Sequence, residues 1–414
     1  MSEAAQLLVS MLDELGHITD EPGRLTRTFL SPGMQWANRL AGDCMRAAGL
    51  EVRVDTVGNL IGRLESANPR AKTLLLGSHL DTVRDAGRYD GPLGVLLPIV
   101  ALADLKVRGV VLPFHVEVLG FSEEEGVRFA SAYLGSEGYT GRLKPATLAL
   151  RDAAGISVGE ALKEFNRGKF SLPKPAHQRG DLLGYVEVHI EQGPVLEAKK
   201  LAVGVVSAIA GQSRFKLTWT GKAGHAGTTP MALRRDALAG AAEFIAGVEA
   251  IARKMPGLVA TVGALTVSPG AANVIPGAVV HTLDVRHADD RRRRQALMAI
   301  GRLATRIAGR RKLTRAWQRT QENGAVACSP SLTARLEQSV KAVQGKSLSL
   351  VSGAGHDGVV MSALTPVAML FVRCRDGLSH HPDEYASPRD LAVALAVVTD
   401  FLQRLASDHT DERG

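Results

Sequence analysis

The chain has 414 residues, 45% of them apolar and 22% charged, with a formal net charge of +8. That is enough for two or three domains of about 150 residues, in the composition range of ordinary globular proteins. The scattered Cys44, Cys328 and Cys374 argue against a disulfide framework or a thiolate metal site; no apolar run approaches the ~18 residues of a membrane span, and no secretory leader is evident, so the cytoplasm is the default compartment.

In chain order, Leu7, Leu8, Met11, Leu12 and Leu15 recur at helical spacing. A loop at Ile18–Gly23 and the stretch Thr28–Pro32 lead to a second helix over 33–48. Residues 52–64 alternate and turn like paired strands. Leu74-Leu75-Leu76 then reads as a buried strand stopped at Gly77. The glycine-rich stretch that follows carries His79, Asp81 and Asp90 where open α/β sheets place their ligands, beyond the carboxyl end of a strand. One imidazole and two carboxylates suit a borderline or hard divalent metal. Asp90 is placed to cap the apolar helix over 93–105, in which Pro98 predicts a kink.

A further strand over 113–121 runs straight into Ser122-Glu123-Glu124-Glu125-Gly126. Consecutive acids on a loop are ordinarily just solvated, but these end an apolar strand as His79 does. In Gly184–Gly193, Val186, Val188 and Ile190 share one face while Glu187, His189 and Glu191 share the other. A lone strand histidine is ordinarily a satisfied structural group; the neighbouring Glu191 and Gln192 weaken that expectation without reversing it.

Near residue 212 the texture changes. A half-exposed strand over 214–221, a helix over 237–251, strands over 259–267 and 279–285 and a helix over 295–307 predict an inserted α+β domain. Arg291–Arg294 and Arg310-Arg311-Lys312 hold part of the basic excess. They read as solvated turns of an amphipathic helix. With no interleaved aromatics they do not predict nucleic-acid binding, although a basic surface suits a small anionic substrate. After Cys328 the α/β texture returns. A strand over 366–373 ends in Asp376-Gly-Leu-Ser-His-His-Pro382, and a helix over 389–405 closes the chain.

Four apolar strands thus end in candidate ligands, His79 with Asp90, Glu124 with Glu125, His189, and His380. Together they fit a dinuclear metal site with one bridging carboxylate. The motifs GSHLDTV, YDGPLGV, FSEEEGVRF, HIEQGPVLE, GHAGTTPM, NVIPG, DVRH, SGAGHDGVVM and SHHP resemble, in order, those of the amidohydrolase branch of the dinuclear-metal aminoacylase and carboxypeptidase family, the zinc-peptidase-like fold. That branch holds allantoate amidohydrolases, N-carbamoyl-L-amino-acid hydrolases and a type of β-ureidopropionase.

The resemblance implies an α/β catalytic domain with a mostly parallel sheet over residues 1–211 and 328–414, and a ferredoxin-like lid and dimerisation domain over 212–327. It implies two divalent ions per subunit, Mn²⁺ or Zn²⁺. Asp90 bridges them, His79 and His189 complete one, and Glu125 and His380 the other. Asp81 fixes the tautomer of His79, and Glu124 is the general base towards the attacking water. His225 stabilises the oxyanion, usually across a homodimer. Arg286 and Asn273 grip a substrate carboxylate, and Gln212, Gln192, Gly355 and His356 are further contacts. Relatives often carry Asn where His381 stands, so either ring of the His380-His381 pair is sterically eligible; the alignment of SHHP favours His380. The stretches at Arg27–Pro32, His79–Asp90 and Val118–Phe129 look most like allantoate amidohydrolases, with N-carbamoyl-L-amino-acid hydrolase as the alternative. A catalytically dead relative would have lost Glu124 or a ligand; none is lost.

Overall fold

The computed structural model describes residues 2–411. The chain divides into two compact units, Met1–Ser207 with Cys328–Gly414, and Ala208–Ala327.

In the first unit the sheet runs in the order Glu51–Val54, Leu60–Leu64, His115–Phe121, Thr73–His79, Leu182–Ile190, Val367–Val372, Val203–Ile209. The four central strands, His115–Phe121, Thr73–His79, Leu182–Ile190 and Val367–Val372, are parallel. The flanking pairs are antiparallel. The central strands are buried nearly throughout, which is why they read as continuous apolar runs. Being parallel, they deliver their carboxyl ends to one edge of the sheet. His79 ends one strand, Ser122–Glu125 follow the next, His189 lies one residue from the end of the third, and His380 lies beyond the fourth.

The apolar segment after Asp90 is the helix Pro92–Val107, buried on every side through Leu102. A helix apolar all round belongs in a core, and this one packs on the strands Thr73–His79 and Leu182–Ile190 and on the helices Glu3–Leu15 and Pro388–Asp411. It continues through Pro98. Asp90 does not cap it. The cap position falls on Gly91, with no side-chain cap bond, because the Asp90 carboxylate is taken by other partners described below. Gly91 has φ +83°, and a Cβ there would strike the His79 ring, so the turn that swings Asp90 beside His79 requires glycine.

The second unit follows the order strand, helix, strand, strand, helix, strand. Its sheet runs Leu265–Ser268, Ala278–His287, Gly211–Thr220, Thr314–Asn323, all antiparallel, the ferredoxin-like arrangement. The helices Ala237–Lys254 and Asp290–Arg311 pack together around Phe244, Ile300 and Trp219. The expected strand over 259–267 is two pieces, Val259–Thr261 and Leu265–Ser268. The Arg291–Arg294 run is not wholly solvated. Arg293 is 1% exposed, and its guanidinium is held by Asp290, Glu322 and the Asn323 carbonyl.

Glu117, inside the strand that leads to Glu124, is 2% exposed. It accepts from Tyr139 Oη at 2.7 Å, His177 Nε2 at 3.1 Å and Arg63 Nη1 at 3.1 Å. Burial alone would raise its pKa, but His177, Tyr139 and Arg63 outweigh it and hold the carboxyl at about 2. A depressed acid stabilises the fold fully above its unfolded value, near 4.5, and the contribution is lost as pH falls towards 2. Glu117→Gln is therefore expected to cost about 3 kcal/mol at neutral pH, a gap that closes on acidification through that window. Denaturant unfolding of both proteins at stepped pH measures it, and a gap independent of pH would contradict the assignment.

Candidate metal centre

The strand ends bring His79, Asp90 and His189 into one group, and Asp90, Glu125 and His380 into another, each with side-chain ligand atoms within 4.8 Å of one another. Asp90 is common to both. Its Oδ1 lies 3.4 Å from His79 Nε2 and 3.1 Å from His189 Nε2; its Oδ2 lies 3.4 Å from His380 Nε2. His380 Nε2 is 3.5 Å from Glu125 Oε1. His381 turns away to accept from the Asp383 amide, so His380 is the ring in the cluster. Glu124 is also within reach, grouped with His79 and Glu125.

Hydrogen bonding sets the tautomers. His79 Nδ1 faces the Asp81 carbonyl at 3.0 Å and Asp81 Oδ1 at 3.3 Å, so it carries the proton. His189 Nδ1 likewise faces the Ile190 carbonyl at 2.9 Å. Both Nε2 lone pairs then aim at the Asp90 carboxylate. His189 Nε2 is buried with no hydrogen-bond partner, although a carboxylate oxygen lies 3.1 Å away. Two buried acceptors facing each other are stable when a cation sits between them. Three imidazoles and oxygen donors, with no thiolate, suit zinc or manganese. The residues present therefore fit a metal centre.

The electrostatics agree. Burial and the neighbouring Glu125 push Glu124 well above the usual carboxylate range; burial and Asp90 take Glu125 up to about 7. Without a cation between them the rings take up protons instead: despite burial, Asp81 and Asp90 raise His79 and Asp90 raises His189, and the charged rings of His189, His380 and His79 hold the buried Asp90 low. Its hydrogen bond to Asp90 raises His380 to about 9. Carboxyls so crowded are stabilised in their charged form by cations.

A surrounding layer fixes the cluster. The Asp81 carboxylate accepts from the backbone amides of Glu124 at 3.0 Å and Glu125 at 3.2 Å, so one residue aims both His79 and the acidic loop. Asp90 Oδ2 accepts from Ser379 Oγ at 2.5 Å and Gln192 Nε2 at 2.7 Å. Glu384 takes the amides of Tyr89 and Asp90. Glu187 accepts from Ser78 Oγ and the Gly358 amide. Gln192 and His380 both have left-handed backbones, φ +54° and +57°, strain of the kind kept at functional sites.

Of the expected substrate contacts in this unit, Gln192 thus spends its amide on Asp90. His356 is 2% exposed, bonded to Ser352 Oγ at 2.8 Å, with its ring edge-on to His189 at 4.5 Å. Gly355 precedes it. In the second unit, Gln212 and Arg286 are paired across neighbouring strands and share Asp284, which accepts Gln212 Nε2 at 2.7 Å and Arg286 Nη2 at 2.9 Å. His225 pairs with Val274, next to Asn273, whose carbonyl accepts the Ala226 amide. His225 Nδ1 accepts from the Gly227 amide at 3.0 Å. Its hydrogen therefore sits on Nε2, on an exposed ring, ready to be donated.

Residues 75–404 match the model of peptidase family M20/M25/M40. The chain belongs to this family. Among curated relatives, allantoate deiminase 2 of Glycine max is 40% identical over 96% of this chain and 89% of its own length. The N-carbamoyl-L-amino acid amidohydrolase of Geobacillus stearothermophilus is 42% identical over 95% of this chain and 97% of its own. Among solved structures, an amidase of the hydantoinase/carbamoylase family from Burkholderia multivorans superposes with a TM-score of 0.92 at 33% identity, covering 97% of this chain and 98% of that one. No helix among the described residues is long and apolar enough to cross a membrane.

Motif reading passed over several residues of this M20 centre. Ser379 and Glu384 flank His380 and were visible in SHHPDE, but their bonds to the Asp90 segment cross 289 to 295 positions. Arg27 was visible only within a resemblance. It is fully buried, burial lowers its pKa to about 10, and it donates to the carbonyls of Leu80, Leu15 and Ile18, bracing the segment that carries Asp81.

Proposed function

We propose that this amidohydrolase cleaves the ureido C–N bond of allantoate, giving ureidoglycine, ammonia and CO₂. The observation that carries the chemistry is Asp90, shared between two ligand groups, with the Glu124 carboxylate gathered beside His79 and Glu125. Two divalent ions, manganese or zinc, held by His79, Asp90 and His189 and by Asp90, Glu125 and His380, would lower the pKa of water and polarise the ureido carbonyl. Glu124 takes the proton of the attacking water on its carboxylate and passes it to the departing nitrogen. Asp81 holds the Nδ1 proton of His79, keeping Nε2 available. His225 donates its Nε2 hydrogen to the oxygen that gains charge. Arg286, with Asn273 and Gln212, binds the substrate carboxylate, a task suited to a planar guanidinium. The second unit then acts as the lid and as the homodimer contact, which light scattering tests directly; a monomer alone would contradict it.

N-carbamoyl-L-amino acids are the second reading. They share the carboxylate and ureido group with allantoate, and the two relatives above differ by only two points of identity, 40% against 42%. Ammonia release by metal-stripped protein reloaded with Mn²⁺ and offered both substrate types decides it. Allantoate is expected to be preferred by about tenfold or more in kcat/KM; the reverse order would overturn the substrate and keep the chemistry. Arg286→Lys is expected to raise KM about tenfold or more with kcat nearly kept, since a point charge cannot replace a two-pronged donor. A fall in kcat alone would place Arg286 elsewhere.

A further inference from the structure

Tyr133 lies on the loop that leaves the acidic run, and no motif drew attention to it. Its backbone is left-handed, φ +70°. That conformation is costly for a bulky aromatic residue and persists where the surroundings demand it. Two contacts make the demand. The Tyr133 amide donates to the Glu124 carbonyl at 3.2 Å, tying the residue to the acid loop. The phenol lies against Gly355, so closely that a Cβ on Gly355 would collide with the hydroxyl. Gly355 leads into His356, whose ring packs on His189. The side chain thus reaches from the acid loop to the segment behind a cluster histidine.

The hydroxyl makes no hydrogen bond to any described protein group, whereas the fully buried phenols of Tyr139 and Tyr185 each donate one, to Glu117 and to the Gly77 carbonyl. Tyr133 is half-buried, and a phenol at the edge of a packed region keeps its hydroxyl for solvent or a ligand. Burial and the surrounding acids, Glu124 foremost, push its ionisation upwards, so it is held as a donor.

We infer that Tyr133 is a substrate contact whose hydroxyl donates a hydrogen bond to the reacting ureido group. This rests on the proposed function, because the group it meets is the one Glu124 acts on. The strained backbone is what carries the ring across to Gly355, and the glycine is what leaves room for the hydroxyl.

The test uses the full-length, metal-loaded enzyme. Tyr133→Phe removes one oxygen that no protein group uses, so its thermal unfolding is expected at or above the wild-type temperature, with metal content unchanged. Its kcat/KM for the ureido substrate is expected to fall by about ten- to a hundredfold, the usual cost of leaving a substrate polar group unmatched. Gly355→Ala is expected to lose activity by displacing the hydroxyl, and to cost distinctly less in the Tyr133→Phe background, where the obstruction is gone. A Tyr133→Phe enzyme within twofold of wild type overturns the inference. So does a loss of activity that tracks a loss of thermal stability, or full additivity of the two substitutions. Wild-type enzyme inactive on every ureido acid offered would instead sink the functional reading, and this inference with it.

Discussion

Glu124→Gln is expected to lower kcat by about a thousandfold or more while leaving both metal binding and the fold in place. General acid–base groups are worth about 10² to 10⁴ in rate, and Glu124 performs two proton transfers in the proposed reaction. The substitution keeps shape and removes charge. Glu124 is 8% exposed, and burial together with Glu125 already disfavours its ionised form, so a neutral amide relieves repulsion instead of creating it. Thermal stability of the variant should equal or exceed that of the wild type. Steady-state ammonia release together with metal analysis checks both halves. A loss below tenfold would mean that the base lies elsewhere; a loss accompanied by missing metal would make Glu124 a ligand.

Asp90→Asn carries the second large effect. Asp90 belongs to both ligand groups, so weakening it withdraws a charged donor from two positions at once. Its amide replacement can still meet Ser379 and Gln192, the partners of Oδ2, and the change is therefore local. After dialysis the protein is expected to retain less than one ion per chain, and its activity to fall by a factor of about 10³ or more, the several kcal/mol that paired cations supply. His380→Ala is the informative control, because His380 lies in one group only. It should retain about one tightly held ion. Equal metal content in the two variants would refute the shared role of Asp90.

The site was legible in the sequence wherever chemistry follows an apolar run. His79, Glu124, Glu125 and His189 stand at the ends of strands buried on both faces, and such strands announce where they stop. What lies outside that pattern was silent. Strand Thr314–Asn323 has no buried position, being an outer strand of its sheet, so its sequence carries no apolar period to find. Arg293 looked like one more surface arginine in a run of four. Only the fold brings Asp290, Glu322 and Asn323 around it. Asp90 seemed a helix cap because its position allowed one. The competing bonds to its carboxylate come from Gln192 and Ser379, 102 and 289 positions away, which local reading does not weigh. In the second unit the sharing of Asp284 by Gln212 and Arg286 depends on strand register, again invisible before pairing is known.

The central strand Val367–Val372 sits between Leu182–Ile190 and Val203–Ile209, although it emerges from the ribosome well after them. Until it arrives, the first unit has a gap in the middle of its sheet and lacks His380, Ser379 and Glu384. Residues 208–327, by contrast, are continuous and contain their own core. Birth order and assembly order therefore differ. The insert can complete itself while its host waits, and the host closes only when the last fifth of the chain has been translated. A chain cut before residue 367 therefore lacks a central strand of the first unit together with Ser379, His380 and Glu384 of the candidate centre.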